Sequence, residues 1–396
     1  MTRLPRKDLF DLPEGIVYLD GNSLGPLPKA ARARALEVIE AEWGQELIKA
    51  WNTAGWMGLP QTVGDRIAGL IGAPAGSVAT GDTLSIKVYQ ALAAALKLRP
   101  DRKVILSDNG NFPTDLYMAE GLIDTLDRGY ELRTPAPEDV TAHIGEDVAV
   151  VMLTQVDYRT GRMYDMQAVT RAVQAAGAVM IWDLAHSAGA VPVDLTGSGA
   201  EIAVGCTYKY LNGGPGAPAF IYVRPDLVAD IRPALSGWMG HDAPFAMERH
   251  YQPAMSTERL RIGTPPIVQL SILDEALKIW DGVDMAELRA ASIALSQRFI
   301  REVEARCPEL VLASPRDATA RGSQVSFAFD QGYAAMQALI AQGVIGDFRA
   351  PDIMRFGFTP LYLDEGDIVI AAERMERVFR DALWKDPKFQ TRSRVT

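Results

Sequence analysis

The chain is predicted to be an α/β protein. A large domain built on a mainly parallel sheet flanked by helices is followed by a smaller α+β domain. Three observations predict this. Short apolar runs over 147–154, 178–182, 202–205 and 219–223 have the length and content of strands buried on both faces. Helical spacing separates several of them, which is the rhythm of βαβ units. After residue 306 the strands and helices follow a different order. A length of 396 residues accommodates two domains. The pattern divides it into an arm and helix over 1–50, a large domain over 51–265, and a small domain over 266–396 that begins with a linking helix.

The arm is marked by Pro5, Pro13, Pro26 and Pro28 and by glycine turns at Gly21 and Gly25. Its 18–23 stretch is too polar for a long strand. Residues 29–43 have helical spacing, with Ala30, Ala33, Leu36 and Ile39 along one side. Trp51, Trp56 and Met57 follow in a glycine-containing loop; Trp56 reads as a plug at a junction and Trp51 as a wall for an aromatic ligand. A short helix covers 61–72. The turn 78–83 opens a helix over 84–98. Such a turn offers free N–H groups and the positive end of a dipole to an anion, although Asp82 or Thr83 also suits an ordinary N-cap.

A strand over 103–107 leads to Asn111-Phe112-Pro113-Thr114-Asp115 and a helix to about residue 126. Proline and an acid suit a helix start. Phe112 is either core or a plate for a planar ring. The polar stretch 154–161 follows the central strand, where open α/β sheets place their ligands. Asp165 opens a helix to about 176. Residues 230–265 have little periodicity and read as a crossing segment at a dimer interface. Helices are expected over 267–280, 284–306, 333–342 and 365–383, strands over 323–329 and 352–358, and a frayed polar tail over 385–396.

Composition excludes several classes. Net charge is −10 with 48% hydrophobic residues, which leaves no basic footprint for nonspecific nucleic-acid binding. The two cysteines, Cys206 and Cys307, cannot build a disulfide framework or a zinc motif, and no metal site is expected. No run of about twenty apolar residues predicts a membrane span. The first residues lack the apolar core of a signal peptide, so a cytoplasmic protein is expected. The chain carries no internal repeat or low-complexity tract.

The chemistry concentrates in two strand ends. The run 202–205 is followed by Thr207-Tyr208-Lys209-Tyr210 and the loop Asn212-Gly213-Gly214-Pro215-Gly216. A lysine there is either a surface residue of a hairpin loop or a desolvated nucleophile. The run 178–182 ends on Asp183, with His186 three residues on and Lys209 26 residues on. A lysine and an acid at neighbouring strand ends suit pyridoxal 5′-phosphate, whose ring nitrogen needs an acid to keep it protonated. His186 could orient the acid, touch the cofactor, or be structural. Arg355 lies inside an apolar strand and must find an acceptor, either a structural carboxylate or that of a substrate.

Seven segments then carry a resemblance. VMIWDLAHSAGAVPVDL and AVGCTYKYLNGGPGAPAFIYV resemble fold-type I pyridoxal-phosphate enzymes of the class V aminotransferase group. Together with YLDGNSLGPLP, NFPTD, SGWMGH, RIGTPP and MRFGFTPLY, they resemble the kynureninase family within it, in order along most of the chain. The resemblance implies a seven-stranded type of sheet and hydrolytic cleavage of kynurenine, or 3-hydroxykynurenine, to an anthranilate and L-alanine. It implies Lys209, Tyr208 and Asp183 as catalytic residues. It implies cofactor contacts from Thr83, Leu84, Phe112, Pro113, Thr114, Asp115, Thr154, Asp183, His186, Tyr208, Lys209, Trp238 and Thr264. Arg355, Trp51 and Gly263 would bind the amino-acid substrate, and Gly263 leans toward the unsubstituted ring. Trp238 and Thr264 would reach partly from a neighbouring subunit, so a homodimer with shared sites is expected.

Rival expectations are an aminotransferase, a cysteine desulfurase, or a catalytically silent binding module. A desulfurase needs a cysteine on a mobile loop, and neither Cys206 nor Cys307 is placed on one.

Overall fold

The four apolar runs become neighbouring strands of one sheet. The computed structural model describes residues 4–392. Thirteen strands lie among the described residues: β1 Val17–Tyr18, β2 Val78–Thr80, β3 Val104–Leu106, β4 Glu131–Arg133, β5 Val148–Thr154, β6 Val179–Asp183, β7 Ile202–Gly205, β8 Phe220–Val223, β9 Val311–Leu312, β10 Gln324–Ala328, β11 Val344–Ile345, β12 Asp347–Arg349 and β13 Ile353–Gly357. The α-helices are α1 Lys29–Glu37, α2 Ala50–Thr53, α3 Leu59–Leu70, α4 Leu84–Leu98, α5 Pro113–Leu126, α6 Met166–Ala175, α7 Leu195–Ser198, α8 Ile267–Leu277, α9 Met285–Arg306, α10 Gly332–Ala341 and α11 Glu365–Arg380.

The large sheet has the order β2-β8-β7-β6-β5-β3-β4, and only β8 runs against the rest. Every residue of β5, β6 and β7 is buried, as expected where helices cover both faces. One core holds Leu153, Trp182 and Ala203 on one side of the sheet, and a second holds Met152, Ile181 and Val204 on the other. The smaller sheet, β12-β13-β10-β9, is antiparallel. The short β1 pairs in parallel with β11, so the N-terminal arm lies on the C-terminal part of the chain.

Local chemistry sets the boundaries. Asp165 caps α6 by accepting the Ala168 N–H at 2.9 Å, and Pro113 takes the first position of α5. Asp364 and Asp367 form a reciprocal capping box at α11.

Several expectations change. The helix expected over 29–43 continues past α1 as a π-helix, Val38–Glu46. Its apolar side is exposed: Leu36, Ile39 and Trp43 face outward, as does Ile48, at 77%, in the 3₁₀ turn that follows. The turn expected at 78–80 is an edge strand, because its backbone pairs with β8. The tail expected to fray over 385–396 forms a 3₁₀ turn at Pro387–Phe389, and its last residues lie outside the described ones. Among the described residues no helix is long and apolar enough to cross a membrane.

Candidate active site

Three adjacent strands deliver the chemistry to one edge of the sheet. Thr154 at the end of β5 pairs with Asp183 at the end of β6, and Asp183 pairs with Val204 of β7. Lys209 lies four residues past the end of β7 and is half-buried. Its Nζ is 2.9 Å from His186 Nε2 and 5.7 Å from the centre of the Tyr208 ring.

The lysine loop is held from two sides. Asn212 adopts a left-handed conformation, φ +59°, and its side-chain amide donates to the Pro26 carbonyl at 3.1 Å. The Gly25 N–H donates to the Tyr208 carbonyl at 2.8 Å. A Cβ at Gly25 would lie 2.3 Å from the Lys209 carbonyl oxygen, so only glycine lets the arm lie this close to the lysine.

The acid end is dry. Asp183 accepts the Ala185 N–H at 2.7 Å and faces the Thr154 hydroxyl at 3.4 Å. Asn111 takes the same hydroxyl at 2.5 Å and donates to Ser107 at 3.0 Å. Burial pushes Asp183 up, while the Lys209 cation and these donors oppose the shift. Asp115, also buried, faces Asp183 and keeps one oxygen without a partner. Burial first, then the charge of Asp183, pushes Asp115 well above the usual carboxylate range. Asp115 is thus the more strongly raised of the two, and at Asp183 the Lys209 cation is the chief opposition to the rise.

The opposite end is an anion cradle. Thr83 caps α4, its hydroxyl accepting the Ile86 N–H at 3.5 Å, which leaves the Leu84 amide pointing out of the first turn. Thr83, Leu84, Tyr208, Cys206 and Ser23 line one cavity of about 340 Å³. Burial pushes the Tyr208 hydroxyl up, so it stays a donor. Phe112 is 41% exposed beside this edge, its ring set edge-on to Tyr158 at 5.3 Å. Pro113 and Thr114 open α5 behind it.

Arg355 is fully buried and already bound. Its Nε and Nη2 donate to the two Asp347 oxygens at 2.7 and 2.5 Å, Nη2 also to Ser23 at 2.8 Å, and Nη1 to the Tyr158 carbonyl at 2.5 Å. One Nη1 N–H is left for a ligand. Burial would raise Asp347, but Arg355 and its hydrogen bonds win and hold it below the usual range. Asp20, nearby, is pushed up to about 7 by burial and by the charge of Asp347. Arg349 also pairs with Asp347, at 2.7 Å, and keeps an unpartnered Nε.

Trp51, Trp238 and Thr264 lie elsewhere. They line a separate cavity of about 560 Å³ with Ile48, Met57 and Phe245. Trp56 is buried as a plug, its indole donating to Glu42 at 2.7 Å and its ring edge-on to Trp51 at 5.6 Å. A Cβ at Gly263 would meet open space.

The donor set fits pyridoxal 5′-phosphate. It offers an amine, an anion for the ring N–H, amides and hydroxyls for a phosphate, and an exposed aromatic plate. Sequence reasoning missed Asn111, Gln324, Asp347 and Arg349. An arginine two residues after an acid on a short strand, Asp347 and Arg349, was the one available signal. Among the described residues no group of His, Cys, Asp and Glu could hold a metal.

The chain is similar to known proteins over nearly its whole length. The kynureninase C-terminal domain family matches residues 288–375. A kynureninase of Burkholderia pseudomallei (strain 1106a) is 52% identical over 99% of this chain and 96% of its own length. Among solved structures, a C-DES lysine variant with glycine covalently linked to its PLP cofactor superposes with a TM-score of 0.80. That match has 17% identity and covers 94% of this chain and 99% of that one. A cysteine desulfurase of Thermococcus onnurineus NA1 gives 0.81 at 17% identity, covering 96% and 99%. At that identity these two matches speak for the fold-type I architecture alone.

Proposed function

The chain belongs to the kynureninase family, and we propose how its residues carry out that family's reaction, the hydrolysis of L-kynurenine to anthranilate and L-alanine. The observation that carries this reading is the adjacency of Lys209 and Asp183 at paired strand ends, in a chain 52% identical to a kynureninase over nearly its whole length. Neither rival reaction has a comparable support. Cys206 and Cys307 are both buried, and burial pushes both thiols up, which is the opposite of a persulfide-forming nucleophile.

Lys209 would hold the cofactor and later carry the α-proton, with His186 steadying its Nζ. Asp183 would keep the ring nitrogen protonated, and Asp115 would hold the extra proton that the buried pair requires. Thr83, the Leu84 amide and Tyr208 would cradle the phosphate. Phe112 would cover one ring face. Pyridoxal phosphate, when bound, supplies the electron sink that loosens the substrate's α-proton and its Cβ–Cγ bond. Arg355 would orient the α-carboxylate through its remaining N–H, with Arg349 as the second cation.

Trp51, Gly263, Trp238 and Thr264 would complete the site from a second copy. Leu36, Ile39, Trp43 and Ile48, together with Phe245, Met247 and Met255, are large exposed apolar residues in the elements next to that cavity. Their exposure supports a homodimer with shared sites, which would bury them. The two free cysteines suit the reducing cytoplasm. A large domain over 51–265 and a small one over 266–396 would divide the chain, the large sheet ending at Val223 and α8 beginning at Ile267.

The test is direct. Purified protein with pyridoxal phosphate and L-kynurenine should release fluorescent anthranilate and alanine in equal amounts. With 3-hydroxykynurenine turnover should be slower. No anthranilate from a cofactor-loaded sample overturns the reading.

A further inference from the structure

His186 is the group nearest Lys209, and its environment settles more than its position. It is 3% exposed, and burial, then the cations Lys209, Arg355 and Arg349, hold its pKa well below the ordinary value. The ring is therefore neutral and carries one N–H. Which nitrogen carries it decides whether the ring offers Lys209 a lone pair or a second donor.

Gln324 decides. It is wholly buried at the start of β10, 138 residues from His186, and its Oε1 is 3.1 Å from His186 Nδ1. Its amide can sit only one way round. Its Nε2 faces two carbonyl oxygens, Asp157 at 3.1 Å and Tyr158 at 3.2 Å. A flipped amide would set oxygen against both of them. Oε1 therefore faces the imidazole as an acceptor, and His186 Nδ1 must be the donor. The lone pair left on Nε2 points at Lys209 Nζ, 2.9 Å away.

We infer that Gln324 is a positioning residue of the reaction. From the small sheet it fixes His186 as the Nδ1–H tautomer, so that Nε2 accepts from Lys209. The same amide shares the Tyr158 carbonyl with Arg355 Nη1. One carbonyl thus joins the group that sets the lysine to the group proposed to bind the substrate carboxylate. This inference rests on the reading of Lys209 given above, but the tautomer measurement that tests it does not.

The experiment uses protein labelled with ¹⁵N-histidine, cofactor-free and cofactor-loaded, in long-range ¹H–¹⁵N spectra. The chain has only four histidines, and His186→Gln identifies the signal. The wild type should show the Nδ1–H tautomer at neutral pH, and remain neutral well below the usual histidine range. Gln324→Met, which removes acceptor and donors, should shift the pattern toward Nε2–H. Gln324→Glu should instead raise the pKa of His186, because a carboxylate then faces Nδ1. In kinetics with L-kynurenine, Gln324→Met should lower kcat on the order of tenfold with KM little changed, the scale seen for outer partners of an orienting histidine.

An Nε2–H tautomer in the wild type overturns the inference. So does a pattern unmoved in both variants at unchanged melting temperature. If kynurenine is not cleaved but the tautomer is as stated, the proposed function fails and the positioning role stands.

Discussion

Two walls of the proposed site are built differently. The inner wall, from Asp183 and Lys209 to Arg355, is completed inside one chain by buried hydrogen bonds whose donors and acceptors match. The outer wall, from Trp51 to Trp238 and Thr264, is a separate cavity among exposed apolar residues. Catalytic groups must be held to fractions of an ångström, which favours one rigid chain. Ring recognition tolerates an interface. On the proposed reading, the difference teaches that bond-making and ring recognition fall to different parts of the fold, and that the second would wait on assembly.

Breaking the comparison at its strongest point means separating the walls. Lys209→Ala should abolish anthranilate production and the cofactor's visible band. Trp51→Ala should keep the band and raise KM roughly 10–100-fold, as loss of a central aromatic contact does. Mixed and refolded together, the two variants should regain a low-KM component, because each hybrid pairs one native lysine with one native tryptophan. A mixture that behaves as the sum of its parts places both walls in one chain.

The inner wall can be tested for self-sufficiency. Asp347→Ala strands the buried Arg355 without its carboxylate, and should cost about 3–5 kcal/mol in urea unfolding. A loss under about 1 kcal/mol would mean that water reaches this pair.

The smallest expected effect sharpens the picture. Asp20 titrates near 7 in the folded chain against an ordinary 3.8, so folding takes up a proton between those values. The stability that this proton gives is full below about 4 and is lost as pH rises through 7. Asp20→Asn should therefore match the wild type near pH 4 and exceed it by roughly 1–3 kcal/mol at pH 8. Parallel stability curves across that range would refute the shift.

Much of the inner wall was legible because burial on both faces leaves a plain mark. The runs at 147–154, 178–182 and 202–205 contain almost nothing polar, and the polar residues that end them are the ones with chemistry. The edge strand Glu131–Arg133 left no mark, since half of its surface meets water. Leu36 and Ile39 have helical spacing but no core of their own chain to face. Spacing alone does not distinguish a chain's own interior from that of its partner. Gln324 was invisible for another reason: a glutamine in a strand is unremarkable until the fold sets it against His186.

The pairing of Val17 with Val344 and of Leu19 with Gly357 carries a consequence for biosynthesis. The arm meets the lysine loop at Tyr208, but its strand finds a partner only once residues 343–345 have left the ribosome. A nascent chain thus carries Lys209 and His186 long before Gln324, which faces His186, has been made. The C-terminal contributions to that site, Gln324 beside His186 and Arg355 on the Tyr158 carbonyl, come from the last quarter of the chain to be made.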